Sequence, residues 1–255
     1  MERRPGLVIR EQGPVTEIAL DRPDKRNALS LDLMHELTAA VQEAAGDVVV
    51  LSGNGPCFSA GHDLGEMVGR DADFYDELFG ACVVLMETLH TIRQPVIAKV
   101  HGVATAAGCQ LVAACDLAVA EEGARFATPG VKIGLFCSTP MVPLSRAIGR
   151  KRALQLLLTG AFIDAPTAAA WGLVNLVVPA ARLDDAVDEL AGQIAGASAA
   201  TVGIGKAAFY DQIDRTEPEA YARTREVMAA NAAIADAQEG ITAFLEKRPP
   251  TWTGR

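Results

Sequence analysis

Residues Pro95–Ala120 read PVIAKVHGVATAAGCQLVAACDLAVA. Val96–Val100 is a short, nearly unbroken apolar run of the kind a strand buried on both faces needs, and Asp116–Ala120 repeats the pattern. Between them Ala104–Ala114 is a stretch of small residues with the length of a short helix. Strand, helix and strand in that order are the rhythm of a parallel sheet covered by helical layers, so this stretch sets the fold class as α/β.

The same grammar extends upstream. Val48-Val49-Val50-Leu51, within Asp47–Ser52, is a third buried strand, and Phe74–Ile92 is the helical stretch leading back to Val96. Ser30 is placed to cap a helix to about Ala45, where Leu33, Leu37, Ala40, Val41 and Ala44 recur at helical spacing and Gly46 provides a stop. Leu7–Glu11 and Val15–Asp21, separated by Gln12-Gly13-Pro14, read as a hairpin. Downstream of Pro140 the pattern turns helical: 142–148, 151–158, 166–171, 183–195, 201–213, 218–235 and 237–246, with 174–178 as one more strand. A composition shift near residue 200 divides a core, 1–199, from a helical tail, 200–255.

Bulk properties bound the function. Half of the 255 residues are hydrophobic and 22% are charged, which describes a filled core. A net charge of -9 argues against broad affinity for nucleic acid or anionic membrane and requires a local basic patch for any polyanionic ligand. Five cysteines form an odd set without CxxC pairs, which points to reduced thiols and a cytoplasmic location rather than a disulfide framework. No targeting segment is visible at Met1–Pro5. The apolar stretch Ile97–Ala120 contains Lys99, His101, Gln110 and Asp116 and reads as core rather than a membrane span.

Two glycine-rich junctions carry the chemical signal. Phe58–Met67 (FSAGHDLGEM) and His101–Leu111 (HGVATAAGCQL) each lie between a strand and a helical stretch. Backbone N–H groups are unpaired at such junctions, and small side chains let a ligand approach the main chain. Taken alone, the first junction is more often merely a turn and the second is better read as tight helix packing; it is their presence in one chain that changes the balance.

Together with RPDKRNAL at 22–29, FATP at 126–129, LTG at 158–160, AWGLV at 170–174 and FLEKR at 244–248, in matching order across nearly the whole chain, these segments resemble the crotonase superfamily of enoyl-CoA hydratases and isomerases. Within it, FATPGVKIGLFCSTP at 126–140 and ATAAGCQL at 104–111 resemble most the enoyl-CoA hydratase domain-containing protein 3 group. The resemblance implies a spiral of ββα repeats with a C-terminal helical trimerisation region, a homotrimer or a hexamer as dimer of trimers, and an acyl-CoA thioester as ligand. It implies no metal and no cofactor beyond the coenzyme A of the substrate.

By position, the resemblance puts an oxyanion hole on the backbone N–H groups of His62 and Ala107. The two glutamates of a hydratase fall on Gln110 and Gly130, neither of which can take a proton from water. Coenzyme A contacts fall on Lys25, Ala28, Ala60, Asp63, Leu64, Gly108 and Lys247, and acyl-chain contacts on Met67, Phe74, Pro129 and Leu135. His62, Cys137, Ser138 and Thr139 stand as substitute acid/base groups. A general acid or base contributes roughly 100- to 10,000-fold, so the expectation is acyl-CoA binding with little standard hydration. Thioester hydrolysis and non-catalytic binding are the alternatives.

Overall fold

A computed structural model describes residues 1–254. Seven strands form the main sheet in the order β1–β2–β3–β4–β5–β7–β10. Here β1 is Glu2–Arg4, β2 Leu7–Gln12, β3 Val15–Leu20, β4 Val48–Gly53, β5 Val96–Val100, β7 Leu117–Glu121 and β10 Leu176–Val178. The hairpin read from Gln12-Gly13-Pro14 is β2–β3, paired antiparallel from Leu7↔Leu20 to Gln12↔Val15. From β3 onward the sheet is parallel, with Ile18 beside Leu51, Leu51 beside Ala98 and Ala98 beside Ala118.

A second sheet, invisible in the apolar pattern, consists of β6 (Val103–Thr105), β8 (Arg125–Ala127) and β9 (Ile163–Asp164). These strands have two or three residues, too few for a period-2 signal. They complete a repeat. Main-sheet strands β3, β4 and β5 are each followed by a short extended segment in the second layer and then by a helix. The units are β3, Leu29 and α1 (Leu31–Gln42); β4, Ser59 and the helices α2 (Leu64–Met67) and α3 (Ala72–Thr91); and β5, β6 and α4 (Ala107–Ala114). Parallel bridges Leu29↔His62 and Ser59↔Ala104 join one repeat to the next. This is the predicted spiral of ββα repeats.

Alternation along the strands explains why they are apolar throughout. Val49, Leu51, Val96, Ala98, Ala118 and Ala120 face the larger core beneath α1, α3 and α4. Val48, Val50, Ile97 and Val119 face a smaller core closed by Leu183, Ala186, Val187 and Ala191 of α8 (Leu183–Ala195). Ser30 caps α1 by accepting from Leu33 N–H. That helix ends at Gln42 rather than Ala45, and Gly46 serves another purpose. A Cβ there would lie 2.7 Å from Pro14 O, so glycine lets the chain pass over the hairpin.

The remaining helices are α5 (Met141–Ile148), α6 (Arg150–Thr159), α7 (Ala165–Trp171), α9 (Ala199–Gln212), α10 (Glu217–Ala232) and α11 (Ala235–Glu246). Helix α9 is tied to the core through Lys206, whose Nζ lies 2.7 Å from Asp116 Oδ2 and donates to Leu89 O and Gln94 O. Tyr210 donates to the other oxygen of Asp116. Helix α10 buries no residue, and Phe209, Ile213, Tyr221, Met228, Phe244 and Leu245 are exposed along the tail.

Candidate active site

The second-layer segments converge on a cavity of about 620 Å³, lined by Ala60, His62, Leu64, Phe79, Ala106, Ala107, Pro129, Gly130, Lys132, Ile133, Leu135, Phe136, Cys137, Ser138, Thr139 and Pro140. Of the residues expected to meet a ligand, Ala60, His62, Leu64, Ala107, Pro129, Gly130 and Leu135 are therefore brought together. Lys132 brings a charge to the lining that sequence reading did not single out.

One wall is main chain. Leu29 N–H donates to Gly61 O and Leu29 O accepts from Asp63 N–H. That parallel bridge turns the N–H of the intervening His62 away from Leu29, and it has no partner among the described residues. Ala107 is the first residue of α4, so its N–H is outside the helix ladder. The preceding Ala106 stands at φ 50, ψ −118, a conformation costing a non-glycine residue on the order of 1–3 kcal/mol. Its own N–H donates to Ala127 O at 2.9 Å, which helps hold the strained unit. Gly61, at φ +90, packs against it so closely that a Cβ would lie 2.8 Å from Ala106 Cβ and 3.0 Å from Ala107 N. Gly61 and Ala106, the residues that precede the two free amides, are thus in close contact. Gly108 is needed for the same closeness, since a Cβ there would sit 2.4 Å from Ser59 O.

The His62 imidazole stands edge-on to Phe79, with ring centroids 5.4 Å apart at 87°. Its Nε2 is buried without a hydrogen-bond partner. Burial away from water pushes its pKa down to about 4, so the ring is neutral near pH 7.

The opposite wall is the segment after Pro129. Gly130 is the second residue of a 3-10 turn, Pro129–Ile133, that is capped by Gly134 with φ 78. The chain then folds back: Leu135 N–H donates to Gly130 O at 3.0 Å. A Cβ on Gly130 would fall 2.1 Å from Leu135 O and 2.8 Å from Cys137 Sγ. Gln110 is 2% exposed, and its Oε1 accepts from Thr139 Oγ1 at 3.3 Å and from Cys82 Sγ at 3.6 Å. It lies behind Thr139 rather than among the lining residues. Burial pushes the Cys82 thiol up to about 12 and also raises Cys137, so both are thiols near pH 7.

The other expected contacts lie around this centre. Asp63 caps α2 through Gly65 N–H and accepts from Arg22 Nη2 at 3.1 Å, while Arg22 Nη1 donates to Ala28 O. Lys25 is exposed, 3.8 Å from Asp63. Met67 and Phe74 pack on the core, with the Arg70 guanidinium 4.5 Å from the Phe74 ring. Lys247 ends α11 in a left-handed cap, outside the lining. Among the described residues no group of His, Cys, Asp and Glu is placed to hold a metal, and no helix is long and apolar enough to cross a membrane.

A two-layer ββα spiral whose repeats meet at an apolar cavity bordered by two free amides is the arrangement of a crotonase-type protein. Residues 10–255 match the family described as Enoyl-CoA hydratase/isomerase. Enoyl-CoA hydratase domain-containing protein 3, mitochondrial, of Xenopus laevis is 44% identical over 99% of this chain and 88% of its own length. The Homo sapiens protein of that name is 45% identical over 96% and 82%. Among solved structures, an enoyl-CoA hydratase of Mycobacterium smegmatis has a TM-score of 0.95 at 45% identity, covering 98% of this chain and 99% of that one. The human enoyl-CoA hydratase domain-containing protein 3 also has a TM-score of 0.95 at 45% identity, covering 97% and 100%. The chain belongs to the enoyl-CoA hydratase/isomerase family, and the likeness to the domain-containing protein 3 group read from 104–111 and 126–140 holds. This fold binds acyl-CoA thioesters, and its enoyl-CoA hydratases need no cofactor beyond the coenzyme A of the substrate.

One expectation is corrected. The cytoplasmic location is overturned by relatives named mitochondrial in frog, human and Dictyostelium discoideum. Five free, buried cysteines are compatible with any reducing compartment and do not choose among them.

Proposed function

We propose that this protein binds an acyl-CoA thioester with its carbonyl oxygen between the His62 and Ala107 N–H groups, and that it is a poor hydratase. The observation that carries the reading is the pair of unpartnered amides held by strained Ala106 and left-handed Gly61. Two preorganised donors stabilise the charge an enolate develops on that oxygen, and one such donor is worth roughly 100- to 1,000-fold in rate. Hydration also needs a group to take a proton from water. Gln110 is spent on Thr139 and Cys82, Gly130 has no side chain, and the buried His62 ring is a weak base.

In this reading the acyl chain lies along Pro129, Leu135 and Phe136 and over Met67 and Phe74, while Lys25, Lys132 and Lys247 supply positive charge for the nucleotide end. Helices α9–α11 form the subunit interface, because the apolar side chains exposed along them have no cover among the described residues. A trimer is the assembly that follows, with a dimer of trimers as its extension. The test is titration with butanoyl- and crotonyl-CoA alongside hydration kinetics. Micromolar binding with turnover far below the 1–1,000 per second ordinary for enzymes is expected. Absence of affinity for any CoA thioester overturns the proposal, and ordinary hydration rates overturn its second half.

A further inference from the structure

The two positions at which a hydratase carries glutamates are both seats of one loop. Residues 134–139 return across the cavity from left-handed Gly134 and are fastened at three points. Leu135 N–H donates to Gly130 O at 3.0 Å. Leu135 O and Cys137 Sγ occupy the space over Gly130 Cα that any side chain would need. Thr139 Oγ1 donates to Gln110 Oε1 at 3.3 Å, with Cys82 behind as the second donor to the same oxygen.

We infer that Gln110 and Gly130 are specificity-determining positions: they fasten the 134–139 segment as a dry acyl-pocket wall and thereby set which acyl chains fit, rather than holding water. The inference rests on the acyl-CoA reading above and deepens it. Three physical points support it. The wall that this loop presents is mostly apolar, with Leu135 and Phe136 entering the lining from it and Ile133 just before it, so it is suited to methylene groups. The Gly130 seat is incompatible with a carboxylate, because the obstacle at 2.1 Å is backbone and cannot rotate away. At the Gln110 seat, the side-chain oxygen is already taken by two donors within the fold, and the amide nitrogen that remains can only donate and cannot take a proton from water.

This predicts that restoring a carboxylate is not a route back to hydration. Gln110→Glu keeps an acceptor for Thr139 and Cys82, so the loop stays seated. Gly130→Glu expels the loop instead of arming the site.

The experiment is calorimetric titration of the protein with butanoyl-, octanoyl- and hexadecanoyl-CoA and with free coenzyme A, alongside hydration kinetics with crotonyl-CoA, for wild type, Thr139→Val, Gln110→Leu, Gln110→Glu and Gly130→Ala. Thr139→Val and Gln110→Leu each remove the tether without filling the pocket. They are expected to shift the hexadecanoyl-to-butanoyl affinity ratio about 3- to 10-fold toward the longer chain, the worth of one net hydrogen bond. Free coenzyme A should bind as in wild type, and Gln110→Glu should keep the wild-type ratio without gaining hydration. Gly130→Ala should shift the ratio further where it folds, and the tether variants decide the matter where it does not. Unchanged ratios in both tether variants overturn the inference, as does hydration gained by Gln110→Glu. Failure of wild type to bind any acyl-CoA sinks the underlying reading instead and is distinguishable from either.

Discussion

The two walls of the cavity are built on opposite principles. The wall of Gly61, His62, Ala106 and Ala107 is backbone held under strain. It presents two N–H groups whose direction does not depend on any side chain, and the residues that fix it do so by being small. The wall of Gly130 and Leu135–Thr139 is where side chains would have to supply acid and base. Here it is a folded-back loop fastened by Leu135 N–H to Gly130 O and by Thr139 Oγ1 to Gln110 Oε1. On the proposed reading, stabilisation of a thioester oxyanion and activation of water are separable properties, the first asked of the amide wall and the second missing from the loop wall.

The comparison breaks most visibly at Gly61. Alanine there places Cβ 2.8 Å from Ala106 Cβ and 2.8 Å from Thr105 O, at a φ of +90. Left-handed backbone costs an L-residue roughly 1–2 kcal/mol and overpacking about 1–3 kcal/mol more. Gly61→Ala should lower stability by about 3 kcal/mol in urea unfolding and abolish the preference for a thioester over its carbonyl-free thioether analogue. Retention of that preference would mean that the amide pair tolerates displacement and is not the recognition element.

A smaller effect separates the His62 ring from the His62 amide. Its pKa in the folded protein is about 4, against an ordinary 6.5. Between these values the unfolded chain binds the proton and the folded one does not, so stability is full above about pH 6.5 and falls as the pH drops toward 4. The expected loss is on the order of 1–3 kcal/mol. His62→Leu keeps the main-chain amide and should flatten this part of the pH–stability curve relative to wild type, while preserving thioester preference. A parallel slope in both proteins would assign the pH dependence elsewhere.

Much of this was readable beforehand, for physical reasons that also mark the limit. Val48–Leu51 and Val96–Val100 are apolar on both faces because both faces are covered, and that coverage defines α/β layering. The two glycine-rich junctions were recognisable because closeness of backbone to backbone demands glycine and alanine. The second sheet was not, since β6, β8 and β9 are too short to carry a period. Nor was the docking of the loop. Gln110 and Thr139 are 29 residues apart, and the contact of Leu135 with Gly130 depends on a reversal at Gly134 that looks like any glycine turn. That positions 110 and 130 carry glutamine and glycine was legible; how the loop packs on them needed three dimensions.

The least disruptive probe concerns charge at the amide wall's outer end. Lys25 is exposed and 3.8 Å from Asp63, whose carboxylate already accepts from Arg22 at 3.1 Å and from Gly65 N–H at 3.2 Å. An exposed ion pair of that length contributes about 0–1 kcal/mol, and Asp63 keeps its better partners without it, so Lys25→Ala should leave stability within about 0.5 kcal/mol of wild type. A role in holding the coenzyme A phosphates leaves a different trace. Affinity for free coenzyme A should fall several-fold, and the fall should shrink as salt is raised from about 50 to 500 mM, because the Debye length contracts from more than 10 Å to a few Å over that range. Unchanged coenzyme A affinity in Lys25→Ala would take Lys25 out of the nucleotide site and leave that end of the ligand to Lys132, in the cavity lining, and Lys247.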